Sequence, residues 1–211
     1  MNADSQEEGL SLPLVMEGAT VHLRPVSQVD FPAFFQWSLD TSQFHFLGAA
    51  QGVSTFENFA ARLDAELRGS VTFILVSADR SEIFGYVQAV ELRLDQGWCF
   101  VRSYAEPEYR GQSAAVEATV MFLDYMFRTF DLRKIYMEVY ESELEWLKPL
   151  IAAGLVQEGK FEQHIWAGDK YQDVVRLVLD HGRWLDDRRQ ALFLIGLREE
   201  ASEIITEQHR E

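Results

Sequence analysis

A basic residue, a glycine and several small side chains stand directly before a long apolar run in the segment PEYRGQSAAVEA, residues 107–118. Small residues at the junction of a loop and a helix leave backbone N–H groups uncovered. The first N–H groups of a helix have no partner within the helix and carry partial positive charge. The segment therefore predicts an anion-binding site built from the amides of residues 111–115, with Arg110 adding positive charge.

The elements that must position this site can be read from periodicity and turn signals. A short strand at 20–24 precedes two helices, one opened by Ser27 and Asp30 and one by Ser54 and Glu57. Three strands with tight turns then predict an antiparallel meander, and the long helix follows the quoted segment. A strand at 134–140, a helix at 141–154 and a closing hairpin at 155–179 complete the pattern. We predict an α/β (α+β) fold whose mixed, mostly antiparallel sheet has about six to seven strands flanked by about four helices.

Composition limits the function classes. The chain has 211 residues, 47% of them apolar, which suffices for one domain with a sizeable core. Its 19 Lys and Arg against 34 Asp and Glu give a net charge of −15, which disfavours nucleic acid and anionic membranes and favours a cationic or amine-bearing partner. Acidity that serves only solubility is the alternative. The five histidines show no metal spacing, so no metal is predicted.

The two ends differ from the middle. Residues 1–16 are polar and without period, and predict a disordered tail; residues 17–182 form the domain. Residues 183–211 predict an added amphipathic helix that packs on the domain or on a second copy of the chain, as in a homodimer. The start lacks the layout of a signal peptide, and no apolar run reaches the ~18 residues of a membrane span, so we expect a cytoplasmic protein.

The element order and the quoted segment together resemble the GNAT superfamily of acyl-coenzyme A-dependent N-acyltransferases over residues 20–179. Pro107, Arg110, Gly111 and Ala115 fit the family signature, whereas Ser113 replaces its central glycine. The stretches VHLRPVSQVDFPAFFQW and FEQHIWAGDKYQDVVRLVL are similar to the opening and the closing hairpin of the branch with ribosomal-protein N-terminal and spermidine acetyltransferases.

This resemblance implies acetyl-coenzyme A as the acyl donor and an amine of a small molecule or peptide N-terminus as the acceptor, which attacks the thioester directly. A splay between two strands would hold the pantetheine arm of the coenzyme, and strand amides would polarise the thioester carbonyl. The acceptor would lie near Phe44, His45 and Glu91. The implied coenzyme-binding residues are Ser103, Tyr104, Ala105, Arg110, Gly111, Gln112, Ser113, Ala114 and Ala115.

The proton-transfer groups follow the family pattern less well. Leu150 stands where many relatives carry the tyrosine that protonates the thiolate, and leucine has no proton to give. Glu91, Tyr104, Tyr140 and His164 are the candidate substitutes, each with a structural alternative: a solvent-facing carboxylate, two core aromatics and a structural histidine. The alternative function is a degenerate GNAT-like module that binds coenzyme A or a protein partner without turnover.

Overall fold

The computed structural model describes residues 13–43 and 55–186, which form one eight-stranded sheet with helices on both faces. The strand order is β1-β2-β3-β4-β5-β6-β8-β7. The strands are β1 (Met16–Glu17), β2 (Val21–Pro25), β3 (Val71–Ser77), β4 (Ile83–Arg93), β5 (Trp98–Ala105), β6 (Lys134–Tyr140), β7 (Val156–Ala167) and β8 (Lys170–Asp180).

One neighbouring pair of strands runs parallel while the other paired strands of the described sheet are antiparallel. β5 and β6 pair at only three positions, from Trp98 with Lys134 to Phe100 with Tyr136. Both strands continue beyond this point, β5 to Ala105 and β6 to Tyr140, without pairing with each other. The two strands therefore splay apart in the middle of the sheet and leave backbone groups of β5 without a strand partner.

Helices cover the two faces of the sheet unequally. The helices are α1 (Phe31–Trp37), α2 (Phe56–Leu67), α3 (Ser113–Thr129) and α4 (Lys148–Ala152). The larger core lies under α3 and α4, where α3 buries Ala118, Phe122 and Met126 completely. The second core lies under α1 and α2 and is mainly aromatic, with Phe34 and Tyr86 fully buried.

The predicted architecture, a mixed and mostly antiparallel sheet flanked by helices, is confirmed, with two local differences. The sheet has one strand more than expected, because Met16 is buried and pairs with Leu23 to form β1. The single helix predicted over 141–154 is wrong: a 3₁₀ turn covers Glu141–Glu143, and α4 is only five residues long. Pro149 lies at the second position of α4, because proline lacks the N–H that a helix interior needs and is tolerated only in the first turn.

Several sequence predictions concern residues outside the described ranges. Phe44 and His45, most of the tail and residues 187–211 belong to this group. Ser54 also lies outside, and the described N-cap of α2 is Thr55, whose hydroxyl accepts from the Asn58 amide at 3.3 Å. At the start of the predicted C-terminal helix, Trp184 is buried, lies against Phe127 of α3 and donates to Asp124.

Candidate active site

The splay between β5 and β6 opens into a cleft of about 620 Å³, part of which is open to solvent. Its walls come from the ends of β5 and β6, the first turns of α3 and the segment that leads to α4. The cleft therefore joins the predicted anion-binding segment to the open edge of β5.

The backbone of β5 directs hydrogen-bonding groups into this cleft. Glu106 donates its amide to the Phe84 carbonyl of β4 at 2.8 Å. In an antiparallel pair, alternate residues bond the same neighbour, so the amides and carbonyls of Ser103 and Ala105 point the other way, towards the splay. Ser103, Tyr104 and Ala105 all line the cleft, as the resemblance implied.

The segment before α3 has the conformation that an anion site requires. Gly111 has a φ of +68°, in the left-handed region that favours glycine, and leads into the extended N-cap Gln112. Ser113 begins the helix without a positive φ, so its side chain creates no backbone strain in place of the family glycine. Gln112 makes no side-chain cap hydrogen bond, which leaves the first amides of α3 available to a diphosphate. The residues at 111–115 therefore fit the diphosphate of a coenzyme.

Arg110 is held by the protein itself rather than directed to solvent. Its guanidinium forms an ion pair with Asp40, donates to the Ser42 hydroxyl at 2.7 Å and donates to the Ala105 carbonyl at 2.9 Å. The Tyr104 hydroxyl donates to the same Asp40 carboxylate at 3.0 Å. Arg110 thus ties the segment after α1 to the end of β5, next to the anion-binding turn.

The Asp40 carboxylate lies at the centre of these contacts, and its pKa is strongly lowered. Burial raises its pKa, but hydrogen bonds from Ser42, Arg110 and Tyr104 outweigh burial and lower the pKa from 3.8 to about 2. Because the pKa is lower in the folded state, the charged carboxylate stabilises the fold above pH 3.8, and this contribution is lost as the pH falls towards 2.

The shift predicts a pH-dependent effect of Asp40→Asn. The difference in free energy of unfolding between wild type and Asp40→Asn should be constant above about pH 5 and should shrink as the pH falls towards 2. Urea unfolding measured between pH 7 and pH 2 checks this. A difference that stays the same at low pH would mean that the carboxylate has no depressed pKa.

Of the four predicted catalytic side chains, only Tyr104 lines the cleft. Burial, together with the nearby Asp40 charge, raises its pKa, so the phenol stays protonated at neutral pH. Glu91 lies exposed at a bulge in β4 with a φ of +49°, and His164 is exposed on β7 beside Phe161. Tyr140 is buried against β7 and β8, and burial raises its pKa to about 12. The structure brings none of these three into the cleft.

Other cleft residues escaped the sequence analysis because their contacts are distant in the chain. Glu138 of β6 lines the cleft and accepts from Arg176 of β8 at 2.6 Å and 2.9 Å. Gln43 reaches β5 across 60 residues of sequence. Alternation along β6 places Glu138 on one face with Tyr136, a signal that could have identified it. Leu150 also lines the cleft and is buried. Its apolar side chain stands where the resemblance leads one to expect a tyrosine.

A family model described as an acetyltransferase (GNAT) domain matches residues 20–154. This chain belongs to the GNAT acetyltransferase family. The match confirms the family predicted from the sequence. Acetyltransferases of this family use acetyl-coenzyme A as the acyl donor.

The proteins similar to this chain include spermidine acetyltransferases. Spermidine N(1)-acetyltransferase of Vibrio cholerae is 25% identical over 114 residues, 54% of this chain, and the matched region spans 65% of that relative's length. The crystal structure of the spermidine N-acetyltransferase from Vibrio cholerae in complex with CoA and spermine has a TM-score of 0.69 at 19% identity, covering 80% of this chain and 99% of the other. A dodecameric structure of spermidine N-acetyltransferase from the same organism also has a TM-score of 0.69 at 19% identity, covering 80% and 98%. At these identities, the structural likeness establishes the fold.

Two features are absent from the described residues, 13–43 and 55–186. They contain no group of three or more His, Cys, Asp or Glu side chains arranged to hold a metal ion. They also contain no helix long and apolar enough to cross a membrane.

Proposed function

We propose that this GNAT-family chain transfers an acetyl group from acetyl-coenzyme A to a primary amine of a small molecule or peptide N-terminus. The observation that carries the proposal is the cleft at the β5–β6 splay, which runs from the backbone groups of β5 that do not pair with β6 to the N-terminus of α3. These two features offer hydrogen bonds to an extended amide-bearing arm and to a diphosphate, respectively.

On the donor side, backbone groups would make most of the contacts with the coenzyme. The amides of residues 111–115 would hold the diphosphate, helped by the dipole of the 17-residue helix α3. The groups of Ser103 and Ala105 would pair with the arm and polarise the thioester carbonyl. Fixed backbone donors of this kind contribute several kcal/mol to acyl transfer, because they need no reorganisation as charge develops on the oxygen.

On the acceptor side, we assign Glu138 as the residue that binds and deprotonates the acceptor amine. An alkyl ammonium has a pKa near ~10.4 and must lose a proton before it can attack. Glu138 lies on β6 across the splay from β5, lines the cleft and keeps 25% of its side chain exposed. Its carboxylate can hold an ammonium ion, accept a proton from it to give the neutral amine, and pass that proton on to water. Glu143 also lines the cleft, but its carboxylate is buried and accepts from the Tyr140 amide at 2.7 Å.

The apolar residue Leu150 does not prevent this chemistry. An alkyl thiol such as cysteine has a pKa near ~8.5, well below that of an alkyl amine, so the thiolate can leave without a proton donor. Tyr104 serves as a positioning residue, since its hydroxyl already donates to Asp40.

A coupled measurement of binding and turnover tests the proposal against the degenerate-module alternative, which Leu150 in the cleft wall favours. The sample is the full chain, with a thermal-shift titration of acetyl-coenzyme A followed by thiol release on a panel of amines that includes spermidine. Stabilisation with thiol release supports the enzyme, because a ligand of the folded state raises its stability. Stabilisation without release on any amine supports the module, and the absence of stabilisation contradicts both.

Glu138→Gln should lower kcat/KM about 100-fold while leaving the affinity for acetyl-coenzyme A unchanged, because it removes the base and keeps the shape. Arg176→Gln is the matched control: it breaks the same ion pair but retains the carboxylate. Steady-state kinetics of both variants with one amine substrate give the comparison. Equal losses in the two variants would show that the ion pair, and not the base, is what matters.

The acceptor class is an amine whose charge suits an acidic protein. The net charge of −15 and the spermidine acetyltransferase relative both favour a cationic amine such as a polyamine, and the amine panel decides between this and a peptide N-terminus. The cytoplasmic location and the homodimer through residues 183–211 remain predictions from the sequence. The mass of the full chain in solution tests whether it assembles.

A further inference from the structure

The side chain of Gln43 imitates a strand at the open edge of β5. Its Nε2 donates to the Ser103 carbonyl at 3.1 Å, and its Oε1 accepts from the Ala105 amide at 3.3 Å. In a parallel sheet, each residue bonds the carbonyl before and the amide after its opposite residue. The Gln43 carboxamide makes this pair of bonds around Tyr104, where β6 has already turned away.

The two backbone groups that Gln43 occupies are those that the proposed function gives to the arm of the coenzyme. Gln43 lines the same cleft as Ser103 and Ala105. Pantetheine carries secondary amides, which have one donor and one acceptor each, as does the end of a glutamine side chain. One pair of backbone groups on one side of a strand cannot bond both at once.

Contacts beside the anion-binding turn hold Gln43 in place. Asp40 and Ser42, which precede it, are fastened to Arg110 by the ion pair and by a 2.7 Å hydrogen bond. Asp40 also accepts from the Ser42 amide at 2.9 Å, which closes a tight turn just before Gln43. The position of Gln43 is therefore set by the residue that leads into the coenzyme-binding turn.

We propose that Gln43 is an affinity-determining residue that competes with the amide-bearing arm of the coenzyme for the backbone of β5. This inference rests on the proposed function. The arm must displace the Gln43 carboxamide from Ser103 and Ala105 before it can pair with β5. Gln43 thereby weakens coenzyme binding without touching the diphosphate site.

Two ligands and two variants test this with the full chain. Isothermal titration calorimetry compares coenzyme A with 3′-phosphoadenosine 5′-diphosphate, which keeps the diphosphate but lacks the arm. Gln43→Ala should bind coenzyme A about three- to tenfold more tightly than wild type, since two hydrogen bonds no longer have to be exchanged. Its affinity for 3′-phosphoadenosine 5′-diphosphate should not change. Gln157→Ala, an exposed change on β7, should leave both affinities at the wild-type value.

Hydrogen–deuterium exchange gives a second measurement that does not depend on turnover. Without ligand, the Ala105 amide should exchange faster in Gln43→Ala than in wild type, and coenzyme A should protect it in both. Equal or weaker binding of coenzyme A by Gln43→Ala, or unchanged exchange at Ala105, would overturn the competition. If wild type binds neither ligand, the proposed function itself fails, and that result is distinct from a failure of Gln43 alone.

Discussion

Ser113→Asp should abolish coenzyme binding while making the protein slightly more stable. A carboxylate in the first turn of α3 interacts favourably with the helix dipole, which contributes about 0.3–1 kcal/mol to the free energy of unfolding. The same charge would stand where the diphosphate binds, and two like charges a few ångströms apart at a protein surface repel by several kcal/mol. We expect affinity for coenzyme A to fall by at least about 100-fold, as measured by calorimetry.

The control for this prediction is the uncharged isostere at the same position. Ser113→Asn has the same shape as the aspartate variant and should lose only the part of the affinity that is due to size. Thermal unfolding of both variants reports the effect on the helix. Equal losses of binding in the two variants would mean that crowding, rather than charge, disrupts the site, and intact binding in Ser113→Asp would place the diphosphate elsewhere.

Asp30→Ala should cause the largest loss of stability of any change considered for this chain. Arg24 of β2 donates to both oxygens of Asp30, at 2.6 Å and 2.8 Å, and the side chains are only 0% and 1% exposed. Removing one partner of such a pair leaves a buried charge without compensation, which costs about 3–5 kcal/mol. Urea unfolding at neutral pH measures the change in free energy of unfolding.

Two controls distinguish the cost of an unpaired buried charge from the loss of an ion pair in general. Asp64→Ala breaks an exposed pair with Arg68 on α2 and should change stability by less than about 0.5 kcal/mol. The double variant Arg24→Met with Asp30→Leu removes both charges and should recover most of the loss, because an apolar pair can replace a buried ion pair. If the double variant is as unstable as Asp30→Ala, the loss comes from packing at the start of α1 or from the hydrogen bond that Asp30 accepts from the Ser27 amide at 2.8 Å.

The elements that local signals specify were predictable to within a residue or two. Strand β6 has the predicted bounds, 134–140, because it is a run of β-branched and aromatic residues that ends at turns. The turn before α3 was predictable because it has a glycine with positive φ next to a helix N-terminus. The prediction of one helix over 141–154 was wrong because it placed Pro149 in the helix interior. Proline is tolerated only in the first turn of a helix, and Pro149 lies in the first turn of α4.

The site chemistry was less predictable, since it depends on contacts between distant segments. Glu91 and His164 have suitable chemistry, but a bulge and an exposed strand carry them away from the cleft. Gln43 shows no local feature that marks it as functional, and Glu138 shows only the alternation of β6; the fold brings both to the cleft.

By itself, the sequence determined the order of the elements and the position of the glycine turn before α3, because both follow from short-range spacing and backbone preference, while the family came from the resemblance to known proteins. Only the tertiary structure decided which side chains line the cleft and that Arg110 is bound to Asp40. The reason is physical: the splay between β5 and β6 is a property of the sheet, and the side chains that fill it come from strands and loops far apart in the chain.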